Sequence, residues 1–280
     1  MKLCTLVKPL LVASLLVSAS VAAAPTAQQV LTISPVDNIV AQYPAMLSQG
    51  IRDGLKRSEQ IPPMVAETIG YVVSGSFRAA DIERQIVEDL EAGLTDRQLA
   101  AVAQWYESPV ARKIAAAEIV ASDPATWKDV RAKSTALNQK YQNSERAALF
   151  DRFDRAARAT ESAVDTSIAV QLGLATAMAA LSDDSVHHDQ LKQRIESQRS
   201  AIRGIVEQQV YDSYLYAYEH IGLAELKQYV AFLESDAGAA FSRVVTNSIQ
   251  QAITDPIQSV GRQMSRFLSP EAASASDSQP

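Results

Sequence analysis

Apolar side chains recur at Leu99, Val102, Trp105 and Tyr106, at the i, i+3, i+6, i+7 spacing that lays one stripe along a helix. Leu226, Tyr229, Phe232 and Leu233 repeat that stripe. The surrounding stretches, Leu94–Ile114 and Ile221–Phe241, align without a gap, Glu234 lying 127 positions after Glu107. Ser108–Pro109 and Ser235–Asp236 follow the two stripes as corners, where one helix ends and the next begins. Ala111, Ala115 and Ala116 after the first corner, and Ala237–Ala240 after the second, are small enough to let helix axes approach closely. The pattern predicts that Val110 and Ile114 fold back on the stripe of their own unit, as a tight antiparallel pair.

The rest of the chain also reads as helix, with ten glycines in 280 residues and no sustained period-two alternation. Thr95 and Gln98 form a capping box, and Asp123–Pro124 and Asp255–Pro256 pair a capping side chain with a first-turn proline. Helices are predicted over 36–56 with an interruption at Pro44, then 63–75, 79–92, 95–107, 109–120, 124–142 and 145–158. The second half gives 161–181, 186–219, 223–233, 236–253 and 256–267. The stretch 24–34 reads as loosely held, and the small, polar, acidic residues 269–280 as a disordered tail. The expected fold is all-α, with two related helical units, 24–143 and 144–268, packed as a multi-helix bundle.

The residues from Gly93-Leu94-Thr95 through Leu99 to Trp105-Tyr106-Glu107-Ser108-Pro109-Val110-Ala111-Arg112-Lys113 resemble an exported bacterial helical family catalogued as domain of unknown function twenty fifty-nine. The family pattern is an L-T-x-x-E-L start, an aromatic pair, then S-P-x-G-x-K. Gln98 stands here for its glutamate and Ala111 for its glycine. The second copy has Glu225–Leu226 and Gly238, but Asp236 in place of the proline and Ala240 in place of the lysine. The resemblance implies two tandem copies, an all-helical fold and a periplasmic location. It brings no catalytic residues.

Export is also legible in the residues themselves. Lys2 and Lys8 open the chain, Leu10–Val17 is apolar, and Ser18–Ala24 supplies small residues for cleavage. The apolar run is shorter than the ~20 residues a membrane span needs. Residues 1–23 are therefore read as a signal peptide, cut after Ala23. Cys4, the only cysteine, leaves with it, which excludes a thiolate metal site or a cysteine nucleophile from the mature chain. Loss of Lys2 and Lys8 takes Lys plus Arg from 26 to 24 against 32 acids, a net charge of −8. That balance disfavours nucleic acid, and no stable membrane insertion is expected after cleavage.

Candidate chemistry is sparse. Trp105 and Tyr106 fit a ligand cleft or, more simply, the core. Arg112 and Lys113 fit an anion site or a solvated face. Glu107 and Glu234 recur beside the corners, as acid–base residues or as helix-end contacts. Tyr211, Tyr214 and Tyr218 end an apolar line running from Ile195, a partner surface or a packing stripe. His187–His188–Asp189 and His220 lack the i,i+4 spacing of a helical metal pair, and no metal, cofactor or catalytic set is assigned. Three functions fit: a non-enzymatic periplasmic protein that binds a protein partner or assists an envelope process, a binder of a lipid or other apolar small molecule, and a carboxylate-based cell-wall hydrolase. The export reading predicts that the mature protein starts at Ala24. Amino-terminal sequencing of the secreted chain checks this, and a chain retaining residues 1–23 would contradict it.

Overall fold

The computed structural model describes residues 24–57, positions 64, 67, 71 and 75, and residues 77–181 and 188–268. The predicted signal peptide, most of the predicted helix 63–75 and the predicted tail 269–280 lie outside the described residues. Twelve α-helices, and no strand, occur among the described residues. In chain order they are α1 (Ala27–Ile33), α2 (Val36–Arg57), α3 (Ala79–Gly93), α4 (Asp96–Tyr106), α5 (Pro109–Ser122), α6 (Trp127–Tyr141), α7 (Glu145–Ala157), α8 (Ala159–Leu181), α9 (His188–Glu196), α10 (Arg199–Ala217), α11 (Leu223–Leu233) and α12 (Asp236–Leu268). The chain is thus an all-α multi-helix bundle.

Several boundaries depart from the sequence reading, each for a physical reason. The stretch read as loose contains α1. Thr26 and Gln29 close a capping box, and Val30 and Leu31 are wholly buried, so packing holds a short helix that would be marginal alone. Helix α2 continues through Pro44. Val40, Leu47, Ile51 and Leu55 are buried on one side of it, and that continuous stripe offsets the hydrogen bond that proline removes. Helix α12 likewise runs on through Pro256 where two helices were expected. The single helix predicted over 186–219 is two. At the break the Ser197 hydroxyl donates to the Arg194 carbonyl at 2.6 Å and the Gln198 amide to the Ile195 carbonyl at 3.0 Å. That tightened turn lets Ile195 and Val206 both reach Val164, Ile168 and Leu172 of α8.

The two corners are built alike. Ser108 accepts from the Ala111 amide at 3.1 Å and Ser235 from the Gly238 amide at 3.1 Å. The amides of Ser108 and Ser235 donate to the carbonyls of Trp105 and Phe232 at 2.9 and 3.0 Å. The packing differs from the expected self-contained pair. Val110 and Ile114 of α5 join the cluster of Leu226, Tyr229, Val230 and Leu233 on α11. Ala237, Ala240 and Phe241 of α12 join Leu99, Val102, Ala103 and Tyr106 on α4. Helix α12 thus lies against α4 of the other unit as well as against its own α11, while Ala111 of α5 stays with α4 and Ile114 reaches the core around α11.

Where the units meet, Trp105 stacks on Phe232 with centroids 4.7 Å apart and planes within 8°. Tyr106 meets Phe232 and Phe241 edge-on. Two polar contacts flank the rings: Lys113 Nζ donates to Glu225 Oε2 at 2.6 Å and Gln98 Nε2 to Asp236 Oδ2 at 2.9 Å.

The second corner is the tighter. A Cβ at Gly238 would lie 2.0 Å from the Phe232 carbonyl oxygen, whereas the first corner carries Ala111 at the aligned place. Gly238→Ala is expected to destabilise the protein by about 1–3 kcal/mol through that overlap, read from denaturant midpoints. An unchanged midpoint would mean that the corner opens freely.

Candidate functional site

The feature that organises a site is a carboxylate with no cation beside it. Glu118 lies on the third turn of α5. The hydroxyls of Tyr218, at the end of α10, and Tyr229, on α11, both donate to its Oε1, at 2.6 and 2.7 Å. Burial pushes the Glu118 carboxyl above its ordinary range, against the opposing pull of the two tyrosine hydrogen bonds. Burial likewise raises the hydroxyls of Tyr218, Tyr229 and Tyr106, and the Glu118 carboxylate adds to each. Tyr43 is pushed up to about 12 by burial.

Two neighbouring hollows share Glu118. The larger, about 770 Å³, lies between α2, α8 and α12, with α4, α5, α7 and α11 contributing. Tyr43, Leu47 and Ile51 form one wall, Val170 and Ala163 a second, and Phe241, Val245 and Ile249 a third. The smaller, about 350 Å³, runs from Glu118 between α8 and α10 past Val206, Tyr214 and Tyr218. Glu118 is the one carboxylate among the residues lining these hollows, and no Lys, Arg or His lines either. The volume of the larger falls within the ~300–1,000 Å³ of small-molecule sites, which are also mainly apolar with few polar groups.

The site depends on how α10 ends. Arg146 of α7 is 8% exposed and donates to the carbonyls of Tyr218 and Ile221 at 2.6 and 2.5 Å. Its own carbonyl accepts from the Tyr214 hydroxyl at 2.9 Å. A buried guanidinium thus satisfies carbonyls at the end of α10 and sets Tyr218 where it meets Glu118.

The residues singled out from the sequence fall into three places. Tyr106, Tyr214 and Tyr218 line the hollows. Trp105 and Tyr211 pack beside aromatics instead, Trp105 on Phe232 and Tyr211 edge-on to Phe150. Arg112 and Lys113 are exposed, and Lys113 is engaged by Glu225. Glu234 is held by Arg152, whose Nε and Nη2 donate to its two oxygens at 2.9 and 2.5 Å, while Glu107 is exposed at the first corner. His220 is 89% exposed at its side chain. His187 lies outside the described residues, and the side chains of His188 and Asp189 are likewise not described.

Glu118, Tyr229 as its partner and Arg146 were missed. Glu118 had one signal: it is an acid at i+4 from Ile114 in an apolar, alanine-rich helix, on the face that faces the partner helices. Among the described residues no group of three or more His, Cys, Asp or Glu is placed to hold a metal ion. One lining carboxylate is also fewer than the pair that glycoside hydrolysis ordinarily uses. No helix among the described residues is long and apolar enough to cross a membrane.

Residues 80–140, which run from α3 through α6 and include Glu118, match a family described as an uncharacterized protein conserved in bacteria (DUF2059). No curated protein and no solved structure matches the chain.

The raised carboxyl has a stability consequence. The folded state favours neutral Glu118, so its contribution is complete below the ordinary carboxylate pKa and is lost as pH rises through the raised value. The groups facing it are the hydroxyls of Tyr218, Tyr229 and Tyr106, all raised themselves. Glu118→Gln keeps an acceptor for both tyrosines and removes the charge. It is expected to melt higher than the parent at neutral pH, with the difference shrinking toward about pH 4. Thermal melts across that interval check this, and a pH-independent difference would contradict it.

Proposed function

We propose that this is an exported, non-enzymatic bacterial protein that holds an apolar small molecule in the cleft between α2, α8 and α12. The reading includes a periplasmic location after loss of residues 1–23. It also takes residues 223–268 as a second, diverged copy of the helix–corner–helix in the matched region. Support for the second copy is the shared capping at Ser108 and Ser235 and the stacking of the aligned rings Trp105 and Phe232.

The observation that carries the binding reading is the cleft itself. An apolar hollow of about 770 Å³ with a single carboxylate at one end has the make-up of a ligand site. A protein partner is the second reading, favoured by Ile205 on α10 and Val120 on α5, which stay 64% and 57% exposed. The two separate by experiment. N-phenyl-1-naphthylamine, a neutral apolar dye, should brighten on binding the parent protein. Ala163→Phe, which fills the wall shared by both hollows, should abolish the signal while the protein stays folded by circular dichroism. Dye binding that survives that substitution would overturn the cleft reading, and a stable complex co-purifying with the chain would favour the partner.

A further inference from the structure

Four elements converge on Glu118, and none brings it a positive charge. From α5 the carboxylate projects toward Tyr218 of α10 and Tyr229 of α11, with Tyr106 of α4 near enough to feel its charge. Asp89 and Asp212 also bond neutral donors, Ser248 and Gln85 for the first and Asn138 and Gln208 for the second, whereas other carboxylates meet cations. Glu234 has Arg152, Glu225 has Lys113, Asp165 has Arg199, and Glu219 has Lys133 and Lys140. Ion pairs of this kind in contact with solvent add little. The partly buried Glu118 carboxylate is left with neutral hydroxyls.

A carboxylate partly withdrawn from water without a counter-charge is costly, and a fold under selection only for stability would do as well with glutamine here. The carboxylate also sits where the two hollows join, so a molecule in the cleft can reach it. Around that junction stand the rings of Tyr106, Phe153 and Tyr229, whose faces attract a cation. Beyond them the walls are aliphatic: Leu47, Ile51, Val170, Val245 and Ile249.

We infer that the cleft selects an amphiphile with a cationic ammonium head, the head set against the Glu118 carboxylate and the aromatic rings, and the aliphatic tail along α2, α8 and α12. This rests on the cleft being a ligand site. An alkyl carboxylate of the same length would bring two acids together, and one of them would have to take up a proton. An ammonium supplies the missing counter-charge and up to three donors, with the apolar walls excluding the water that would compete.

The test uses the mature chain and three probes that share one tail: dodecylammonium, dodecanol and dodecanoate, each below its micelle concentration. Calorimetry gives the affinities, and the emission of Trp127, which lines the cleft, reports entry. Measurements are made in high salt, where attraction to the acidic surface is screened. Dodecylammonium should bind about tenfold more tightly than dodecanol, with dodecanoate weakest. Glu118→Gln should bring dodecylammonium to the level of dodecanol and leave dodecanol unchanged. Equal binding of the two by the parent, or a preference for dodecylammonium that survives in folded Glu118→Gln, would overturn the inference and leave the apolar cleft standing. Should that variant not fold, the ranking of the three probes by the parent decides. Failure of all three to bind would overturn both the inference and the cleft reading.

Discussion

The structure depends on the crossing of its two helix corners. The long α12 covers α4 of the other unit as well as its own α11, and Ile114 of α5 joins the core around α11. Ile114 lies with Leu226 and Val230, and Phe241 with Leu99 and Val102. The Trp105–Phe232 stack closes the seam, worth about 0.5–1.5 kcal/mol beyond the area it buries. More important is what the crossing prevents. The halves cannot separate without exposing both stripes, so the protein is one interlocked body and not two beads on a string.

That interlock also makes the cleft. Helix α8 packs along α12, α2 packs on α3 and α5, and a hollow is left that is lined by α2, α8 and α12. The hollow reaches α5 at Glu118, the one acid among its lining residues. Arg146 fixes the end of α10, Tyr218 follows from it, and the carboxylate is met by hydroxyls contributed by two different helices. The chemistry of the site is therefore long-range: Glu118 and Tyr229 are 111 positions apart, and Tyr218 lies 100 from Glu118.

Local signals were largely legible in the sequence. The capping box at Thr95, the serine caps at both corners and the paired stripes all rest on residues within a few positions of one another, and all are in place. The stop signals were less dependable. Pro44 sits inside a helix because the local loss of a hydrogen bond is outweighed by side chains buried on one face, and α12 also runs on through Pro256. Ser197–Gln198 ends a helix with neither glycine nor proline, so the period of the apolar pattern gave no warning. Arg146 was beyond reach for a related reason, and Glu118 had only its place on an apolar helix to mark it. Among the other charges of α7, Arg146 reads the same whether it faces water or a distant partner, and only the partner distinguishes them. Tyr106, read as a ligand-cleft or core residue, and Tyr214 and Tyr218, read as a partner surface, line the hollows, while Trp105 stacks between the units.

The central claim is that Glu118 is kept unpaired for a cationic guest. Its carboxyl carbon can be followed directly, by carbon NMR on protein labelled at glutamate, across a pH titration with and without dodecylammonium. The resonance is assigned by its absence in Glu118→Gln. The account predicts that the pKa, raised by burial in the free protein, falls by at least about one unit when the ammonium is bound, as an opposite charge at close range requires. A titration of Glu118 that saturating dodecylammonium leaves unmoved would contradict it.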